Sequence, residues 1–159
     1  MQISGLEKLT LIDYPGQLAA TIFLFGCNFR CGFCHNPELV LPERAREPIS
    51  QEKVLQFLRK RKKYLDAVCI TGGEPLINKE LPGFLERIKD MGYLIKIDTN
   101  GTNPGLLKEL IDEGLVDYIA MDIKADKDNY DLLAGREVEL PKIEESIGVI
   151  GSSGLDYEF

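Results

Sequence analysis

Short apolar segments alternate along this chain with longer segments whose apolar residues recur at helical spacing. This alternation predicts strands at 20–26, 67–71, 93–97 and 118–121, and the start of a fifth at 155–159. One helix is predicted between each pair of consecutive strands, at 51–63, 79–91, 104–113 and 141–150. Strand–helix units at roughly thirty-residue spacing indicate a parallel sheet covered by helices. Because their crossovers are right-handed, the sheet should curl one way, and we expect an α/β fold with a partial (β/α) barrel.

Capping residues stand at the ends of these predicted helices. Ser50, Asn78 and Asn103 lie where a side-chain oxygen can accept hydrogen bonds from the first free N–H groups of a helix. Gly92 and Gly114 follow the second and third helices, where glycine commonly ends a helix. The caps therefore agree with the hydrophobic pattern.

The size and charge of the chain limit its function. Its 159 residues suit a single domain, expected to span 1–159, with one sizeable core. The formal net charge of −7 argues against a general nucleic-acid binder. No apolar run approaches the roughly 20 residues of a membrane span, and the N-terminus has neither a basic region nor a cleavage site. We therefore expect a cytoplasmic protein that binds neither nucleic acid nor a membrane.

The last residues, 155–159, read as a strand with no polar tail after it. A sheet that stops there presents an unpaired edge, which natural proteins usually cover. Either a partner covers this edge, or the chain is the N-terminal portion of a longer protein, truncated near the fifth strand.

Three cysteines follow the first predicted strand at the spacing Cys27-x-x-x-Cys31-x-x-Cys34. Thiolates are the usual ligands of iron–sulfur clusters, and a [4Fe–4S] cube needs four. Three close ligands without an evident fourth indicate a cube with one open iron, which can bind a substrate. Their clustering at ligand spacing also fits a reducing compartment. Cys69 lies within the second predicted strand and is expected to be a buried apolar residue.

Two other uses of these cysteines are less favoured. A disulfide framework would need Cys69 to complete the pairs, and no signal peptide accompanies it. A zinc site formed by the three clustered cysteines and His35 has the right number of ligands. However, His35 directly follows Cys34, whereas zinc sites favour a gap of two or more residues.

Polar segments also follow the later strands. Thr-Gly-Gly-Glu-Pro at 71–75 follows the second, Asp-Thr-Asn-Gly at 98–101 the third, and Asp-Ile-Lys at 122–124 the fourth. An Asn-Gly pair alone would indicate an ordinary turn. The carboxyl ends of parallel strands meet at one edge of the sheet, where α/β proteins place their active sites. We therefore expect these segments and the cysteines to form one site.

The cysteine spacing, with the aromatic Phe33 before the third cysteine, resembles the signature of the radical S-adenosylmethionine (SAM) family. The resemblance implies a partial barrel of the radical SAM type, in which SAM chelates the open iron through its amino and carboxylate groups. The segment Gly72-Gly73-Glu74-Pro75 is similar to the family's GGEP motif, which contacts the SAM amino group. Glycines let the backbone approach a ligand, and their carbonyls can accept from an ammonium. Phe33 would pack on the adenine, with a plain core aromatic as the alternative.

Three segments resemble a narrower group, the glycyl-radical-enzyme activating enzymes: Asp98-Thr99-Asn100-Gly101, Asp122-x-Lys124 and Cys34-His35-Asn36. In that group the matching aspartates and lysine lie beside the SAM ribose and methionine portions. Some members hold a monovalent cation between the two aspartates and SAM, which here implies oxygen ligands from Asp98, Thr99 and Asp122. Lys124 could pair with a carboxylate as a point charge. His35 is implied to shape the cluster loop and to tune sulfur hydrogen bonding.

The segment Leu-Ile-Asp-Tyr-Pro-Gly at 11–16 resembles the activating proteins of anaerobic ribonucleoside-triphosphate reductase. The resemblance as a whole implies an enzyme that reductively cleaves SAM to methionine and a 5′-deoxyadenosyl radical. That radical would generate a glycyl radical on a partner enzyme, here the reductase, with a reduced flavodoxin- or ferredoxin-type electron donor. A pyruvate formate-lyase-type activating enzyme and a radical SAM enzyme acting on a small molecule are the alternatives within the family. Outside it, the alternative is a simple iron–sulfur electron carrier or a zinc-binding module.

Overall fold

The computed structural model describes residues 1–44 and 47–159, and in these ranges the strands form one six-stranded sheet. The order of the strands in the sheet is their order in the chain: β1 Ile3–Thr10, β2 Ala19–Leu24, β3 Ala67–Gly72, β4 Leu94–Thr99, β5 Tyr118–Met121 and β6 Asp156–Glu158. β1 is antiparallel to β2, and every later pair is parallel. The predicted α/β fold with a parallel sheet is confirmed.

Helices connect the parallel strands. Those in the described ranges are α1 Gln51–Arg61, α2 Leu81–Lys89, α3 Pro104–Asp112, α4 Tyr130–Ala134 and α5 Leu140–Ser152. All but α4 correspond to predicted helices, and the five residues of α4 are too few to produce a periodic pattern. In this part of the chain, no helix combines the length and the apolar composition that crossing a bilayer requires.

Two of the three predicted caps are present. Ser50 Oγ accepts from Lys53 N at 3.3 Å, and Asn103 Oδ1 accepts from Leu106 N at 3.2 Å. The prediction for Asn78 is wrong, because its side-chain nitrogen donates to the carbonyl of Pro75 at 3.1 Å and α2 begins only at Leu81. The residue after Leu81 is a proline, which a helix accepts in its first turn and not deeper.

One face of the sheet, the helix-side face, is apolar. Parallel pairing aligns residues of neighbouring strands in rows, and one row on this face is Ile22, Ile70, Ile97 and Ile119. These side chains are fully buried against leucines, isoleucines and a phenylalanine of the helices, among them Leu55, Leu58, Phe84, Leu85, Ile88, Leu107 and Leu110. Each such residue contributes about 1.5–3 kcal/mol by leaving water. A slip of one residue would turn these side chains to the other face, so this packing fixes where each strand ends.

The opposite face, the cavity-side face, carries polar side chains in the rows that alternate with these. Thr21, Cys69, Lys96 and Tyr118 form one row. Lys96 is only 5% exposed, and its Nζ donates to the carbonyl of Asp13 at 2.8 Å. Nζ also forms ion pairs with carboxylates on β4 and β6, those of Asp98 at 3.1 Å and Glu158 at 3.0 Å. Burial opposes the charge on Lys96, but the two carboxylates outweigh it and raise the pKa of the ammonium.

Three strands differ from the prediction by two residues or more. β2 ends at Leu24, two residues before the predicted end at residue 26. β1 is not predicted, because its register with β2 shifts between Ile3 and Gly5 and again between Glu7 and Thr10. These shifts remove the strict alternation by which a strand is recognised in a sequence. β4 extends to Thr99, beyond the predicted end at residue 97, so the Asp-Thr segment begins inside the strand.

Candidate active site

A cavity of about 320 Å³ opens at the carboxyl ends of β2, β3, β4 and β5. Every residue predicted for the site lines this cavity: Cys27, Cys31, Phe33, Cys34, Gly72, Gly73, Glu74, Asp98, Thr99, Asp122 and Lys124. They come from four separate strand ends. The parallel sheet therefore brings together residues that lie far apart in the sequence.

The loop that carries the three cysteines is held by neighbouring backbone. Gly26 N donates to the carbonyl of Leu39 at 2.8 Å, and Arg30 N donates to the carbonyl of Ala134 at 2.8 Å. Gly135 follows α4 with a φ of +68°, and a Cβ there would lie 2.1 Å from the Arg30 carbonyl oxygen. The end of the short helix α4 thus packs against the loop as closely as only a glycine allows.

The three thiols of this loop border two cavities. Besides the cavity described above, they line an apolar cavity of about 300 Å³, together with Pro37, Val40 and Leu41 among others. Burial raises the pKa of Cys27 and of Cys31, so without a metal both favour the thiol form. Among the described residues, no group of three His, Cys, Asp or Glu side chains is arranged to hold one metal ion.

Backbone packing requires the two glycines at the end of β3, Gly72 as its last residue and Gly73 directly after it. Gly72 has a φ of +125°, and a Cβ there would lie 2.3 Å from the carbonyl oxygen of Leu24. A Cβ on Gly73 would lie 1.9 Å from the carbonyl oxygen of Gly26, which already accepts from Glu74 N at 2.7 Å. The sequence predicts glycines here for access to a ligand. The structure adds that they let the loop after β3 contact the start of the cysteine loop.

Glu74 is 1% exposed, and protein donors occupy both of its carboxylate oxygens. Oε1 accepts from Leu76 N at 2.9 Å and from Thr99 Oγ1 at 2.7 Å, and Oε2 accepts from Asn100 N at 2.6 Å. Burial raises the pKa of Glu74 to about 7, although these hydrogen bonds oppose the rise. The side chain of Glu74 therefore ties the loop after β3 to the end of β4.

Asp98 lies on the cavity-side face and is held by two neighbours. Lys96 Nζ is 3.1 Å from Oδ1, and the Cys69 thiol donates to Oδ2 at 3.5 Å. Burial raises the pKa of Asp98, and the Lys96 ammonium opposes that rise. Cys69 is fully buried as predicted, but its contact with a carboxylate gives it a polar neighbour that the sequence does not indicate.

Asp122 and Lys124 form an ion pair at the end of β5. Lys124 Nζ lies 2.6 Å from Asp122 Oδ2 and 5.9 Å from the centre of the Phe33 ring, which is 52% exposed. Burial disfavours the ammonium, but Asp122 outweighs burial and raises the pKa of Lys124. One wall of the cavity thus presents a cation beside an exposed aromatic ring.

The three residues implied as cation ligands have other partners in this structure. Asp98 pairs with Lys96, Asp122 pairs with Lys124, and the Thr99 hydroxyl donates to Glu74. A monovalent cation at these positions stays a prediction.

Sequence reasoning missed a hydrogen-bonded group of three polar side chains beside Cys27. Asn100 Nδ2 donates to Asn28 Oδ1 at 2.8 Å and lies 3.9 Å from Cys27 Sγ, while Thr102 Oγ1 donates to Asn100 Oδ1 at 2.7 Å. Asn100 lies inside the Asp-Thr-Asn-Gly segment, but an Asn-Gly pair also fits a turn, and nothing local indicates a sulfur contact.

His35 lines the cavity with an exposed side chain. In the described part of the chain, the hydrogen bonds to Cys27 Sγ come from Phe29 N at 3.3 Å and from Asn100, and none joins the His35 imidazole to a sulfur. The role implied for His35, shaping the cluster loop and tuning sulfur hydrogen bonding, stays a prediction.

Residues 21–157 match the sequence model of the Radical SAM superfamily. A protein of Methanocaldococcus jannaschii named "Putative glycyl-radical enzyme activating enzyme" is 39% identical over 130 residues, which cover 80% of this chain and 52% of that protein. The pyruvate formate-lyase-activating enzyme of Clostridium pasteurianum is 32% identical over 158 residues, which cover 93% of this chain and 65% of that enzyme. The chain thus spans between half and two thirds of the length of these relatives.

The fold also has a counterpart among solved structures. QueE from Escherichia coli superposes with a TM-score of 0.57 at 18% identity, covering 99% of this chain and 93% of that chain. This likeness concerns the fold alone. The matched segment 21–157, by contrast, includes the cysteine loop and every residue predicted for the site. The chain therefore belongs to the radical SAM superfamily.

Proposed function

We propose that this chain is the core of a glycyl-radical-enzyme activating enzyme, with a [4Fe–4S] cluster on Cys27, Cys31 and Cys34 and SAM in the adjoining cavity. One observation carries the proposal, namely that each residue to which the family motifs assign a cluster, SAM or cation contact lines a single cavity. The names of the two relatives support the same class of enzyme.

The donor set fits a cubane cluster. Each thiolate of such a cluster binds a different iron, so the thiolates have to surround a space instead of meeting at one point. Cys27, Cys31 and Cys34 all border the same two cavities. They would supply three of the four ligands and leave one iron for SAM. Because burial keeps Cys27 and Cys31 protonated, loading the cluster would release protons.

The polar cavity fits the chemical groups of SAM. The carbonyls at Gly72 and Gly73 can accept from its ammonium, and the Lys124 ammonium can pair with its carboxylate. Phe33 offers an exposed aromatic face to the adenine. The carboxylates of Asp98 and Asp122 would lie beside the ribose and methionine portions.

When bound, the cluster supplies the electron for reductive cleavage of SAM. The chain itself would bind the cluster and SAM, orient them and enclose them in the cavity. Glu74 holds the loop after β3 against β4, and Lys96 holds Asp98 on the cavity-side face. α4 fixes the cysteine loop through the contact of Gly135 with Arg30. The loop after β3, the Asp98 carboxylate and the cysteine loop are thereby held before the ligands arrive, which lowers the cost of ordering them during the reaction.

The proposed substrate is a backbone glycine of a partner enzyme. Anaerobic ribonucleoside-triphosphate reductase is the favoured partner because of the segment at 11–16, and a pyruvate formate-lyase-type enzyme is the alternative, which one of the two relatives supports by name. A reduced flavodoxin- or ferredoxin-type protein is the proposed electron donor, and the cytoplasm the proposed location. A small-molecule substrate is the remaining alternative within the superfamily.

Anaerobic reconstitution tests the cofactor assignment. The protein is loaded with iron and sulfide, reduced and given SAM, and 5′-deoxyadenosine is measured by chromatography. We expect about four irons per chain and product from the wild type, and neither from Cys31→Ala. Cys69→Ser is the matched control, because Cys69 is a cysteine outside the cavity lining and serine retains a donor for Asp98. Equal iron content in wild type and Cys31→Ala would contradict the cluster site, and a loaded cluster without SAM binding would contradict the SAM site.

Electron paramagnetic resonance (EPR) tests the partner. The loaded, reduced protein with SAM is incubated with an anaerobic ribonucleotide reductase or with a pyruvate formate-lyase. A glycyl-radical signal on the reductase, absent when its radical glycine is changed to alanine, is the expected result. A signal on the lyase alone would favour the alternative partner. SAM cleavage with neither signal would favour a small-molecule substrate.

A further inference from the structure

Building on the proposed function, we infer that Asn100 is a positioning residue that raises the reduction potential of the cluster through a hydrogen bond to the Cys27 sulfur. Asn100 is 5% exposed and lines the polar cavity. Its Nδ2 lies 3.9 Å from Cys27 Sγ, within the longer range of a hydrogen bond to sulfur. Among the described residues, Asn100 alone has a side-chain N–H group that donates to a sulfur of the cysteine loop; the other donor, Phe29 N, belongs to the main chain.

The orientation of the Asn100 amide follows from its neighbours. Oδ1 accepts from Thr102 N at 3.1 Å and from Thr102 Oγ1 at 2.7 Å, and the main-chain N–H of Thr102 can only donate. Nδ2 donates to Asn28 Oδ1 at 2.8 Å, and Asn28 Nδ2 donates in turn to Thr102 Oγ1 at 2.7 Å. An amide turned by 180° would face donors with its NH₂ group. The nitrogen, and not the oxygen, is therefore the atom directed at Cys27.

The main chain at Asn100 is fixed as well. Asn100 N donates to Glu74 Oε2 at 2.6 Å, and Glu74 is itself buried. The next residue, Gly101, has a φ of +75°, and its carbonyl accepts from Ser146 Oγ of α5 at 2.7 Å. Because the loop after β3 and helix α5 contact this segment on either side, Asn100 has little freedom to move away from the sulfur.

A hydrogen bond from a neutral amide to a cluster thiolate affects the two redox states unequally. One-electron reduction adds negative charge to the cluster and its sulfurs, so the N–H dipole stabilises the reduced state more than the oxidised state. The effect is stronger in a buried site than in water, because the local dielectric constant is low. The bond to Cys27 therefore makes the cluster easier to reduce.

Asn100→Leu tests the inference, because leucine has a similar shape and no N–H group. The midpoint potential of the reconstituted protein is measured by potentiometric titration with EPR detection, without SAM or partner. We expect a lower potential than in the wild type; a tenfold fall in the ratio of reduced to oxidised cluster at a fixed potential corresponds to about 59 mV. Resonance Raman is expected to show a changed Fe–S stretching frequency in the same variant. Asn36→Leu is the matched control, since Asn36 lines the same cavity but gives no hydrogen bond to a cysteine sulfur in the described part of the chain.

The outcomes separate this inference from the proposed function. A wild type that takes up no cluster contradicts the proposed function. A loaded wild type and a loaded Asn100→Leu with equal potentials and equal Raman spectra overturn this inference alone. If Asn100→Leu takes up no cluster, Asn100→Ala decides, because it removes the same N–H group without adding a branched side chain. A lower potential in Asn100→Ala supports the inference, and an unchanged one overturns it.

Discussion

The two faces of the sheet belong to the same strands, yet different interactions hold them. On the helix-side face, rows such as Ile22, Ile70, Ile97 and Ile119 are buried among helix side chains. On the cavity-side face, the row with Cys69 and Lys96 is held by ion pairs and hydrogen bonds. On the helix-side face, a substitution is tolerated if the side-chain volume is kept. On the cavity-side face, it is tolerated if the charge and the length of the side chain are kept. The first face makes the fold stable, and the second keeps ionised groups where a ligand needs them.

The largest effect is expected from a substitution on the helix-side face. Leu85 is fully buried, and Leu85→Ala should lower the free energy of unfolding by about 2–5 kcal/mol because it leaves a cavity. Urea denaturation of the metal-free protein measures the loss. Leu132→Ala is the matched control, since Leu132 is 76% exposed and should change stability by less than about 0.5 kcal/mol. Similar losses in the two variants would contradict the assignment of the core to this face.

The second effect concerns pH and Glu74. Burial raises the pKa of Glu74 from its ordinary value of 4.5 to about 7 in the folded chain. The folded state therefore binds this proton more tightly than the unfolded state. Its stabilising contribution is complete below pH 4.5 and is lost as the pH rises through about 7. The difference corresponds to about 3 kcal/mol.

Urea denaturation of the metal-free protein from about pH 5 to pH 8, compared with Glu74→Gln, measures this contribution. Glutamine keeps the acceptor at Oε1 and does not titrate, so the variant should lose less stability than the wild type across that range. Parallel pH profiles for the two proteins would mean that Glu74 does not titrate between these limits.

The smallest of the three effects is expected at Lys96. Lys96→Met keeps much of the aliphatic stem and removes the charge that faces Asp98 and Glu158. Breaking a fully buried ion pair costs about 3–5 kcal/mol; because Glu158 is half-exposed, we expect about 2 kcal/mol here. Thermal or urea unfolding measures the change. Lys108→Met breaks an exposed pair with Asp112 and should cost less than about 0.5 kcal/mol. An equal cost in both variants would remove the distinction between a buried and a surface ion pair.

Much of the sheet is predictable because strands buried in a parallel sheet are short apolar runs between glycines and polar turns. β2, β3 and β5 lie close to their predicted bounds for this reason. β1 is an edge strand with an irregular register, and its exposed middle, with Glu7 and Lys8, gives no such run. A strand is recognised in a sequence by a run of buried apolar residues or by regular alternation of apolar and polar residues. The sequence of β1 shows neither of these patterns.

The candidate site likewise has features that the sequence predicts and features that it does not. Strand ends position its residues, so knowing which segments follow strands is enough to collect the cysteines, Gly72, Asp98 and Asp122 around one cavity. The contacts among the side chains depend on the register between strands, which the sequence does not give. Lys96 is the one charged residue in the predicted strand 93–97, which could have directed attention to it. Its partners, Glu158 and the Asp13 carbonyl, lie at distant positions in the chain that only the folded structure brings close.

The matching order of strands in sheet and chain has a consequence for synthesis on the ribosome. Each new strand adds to the edge formed by the strand before it, and no strand has to wait for a later one to be inserted beside it. The chain leaves the ribosome at about 5–20 residues per second, which is slow compared with the closing of a loop between neighbouring strands. The cysteine loop contacts α4 and the segments after β3 and β4, all of which emerge later, so its final shape forms only after residue 134 has left the ribosome. A nascent chain would thus have most of its sheet before it could retain iron.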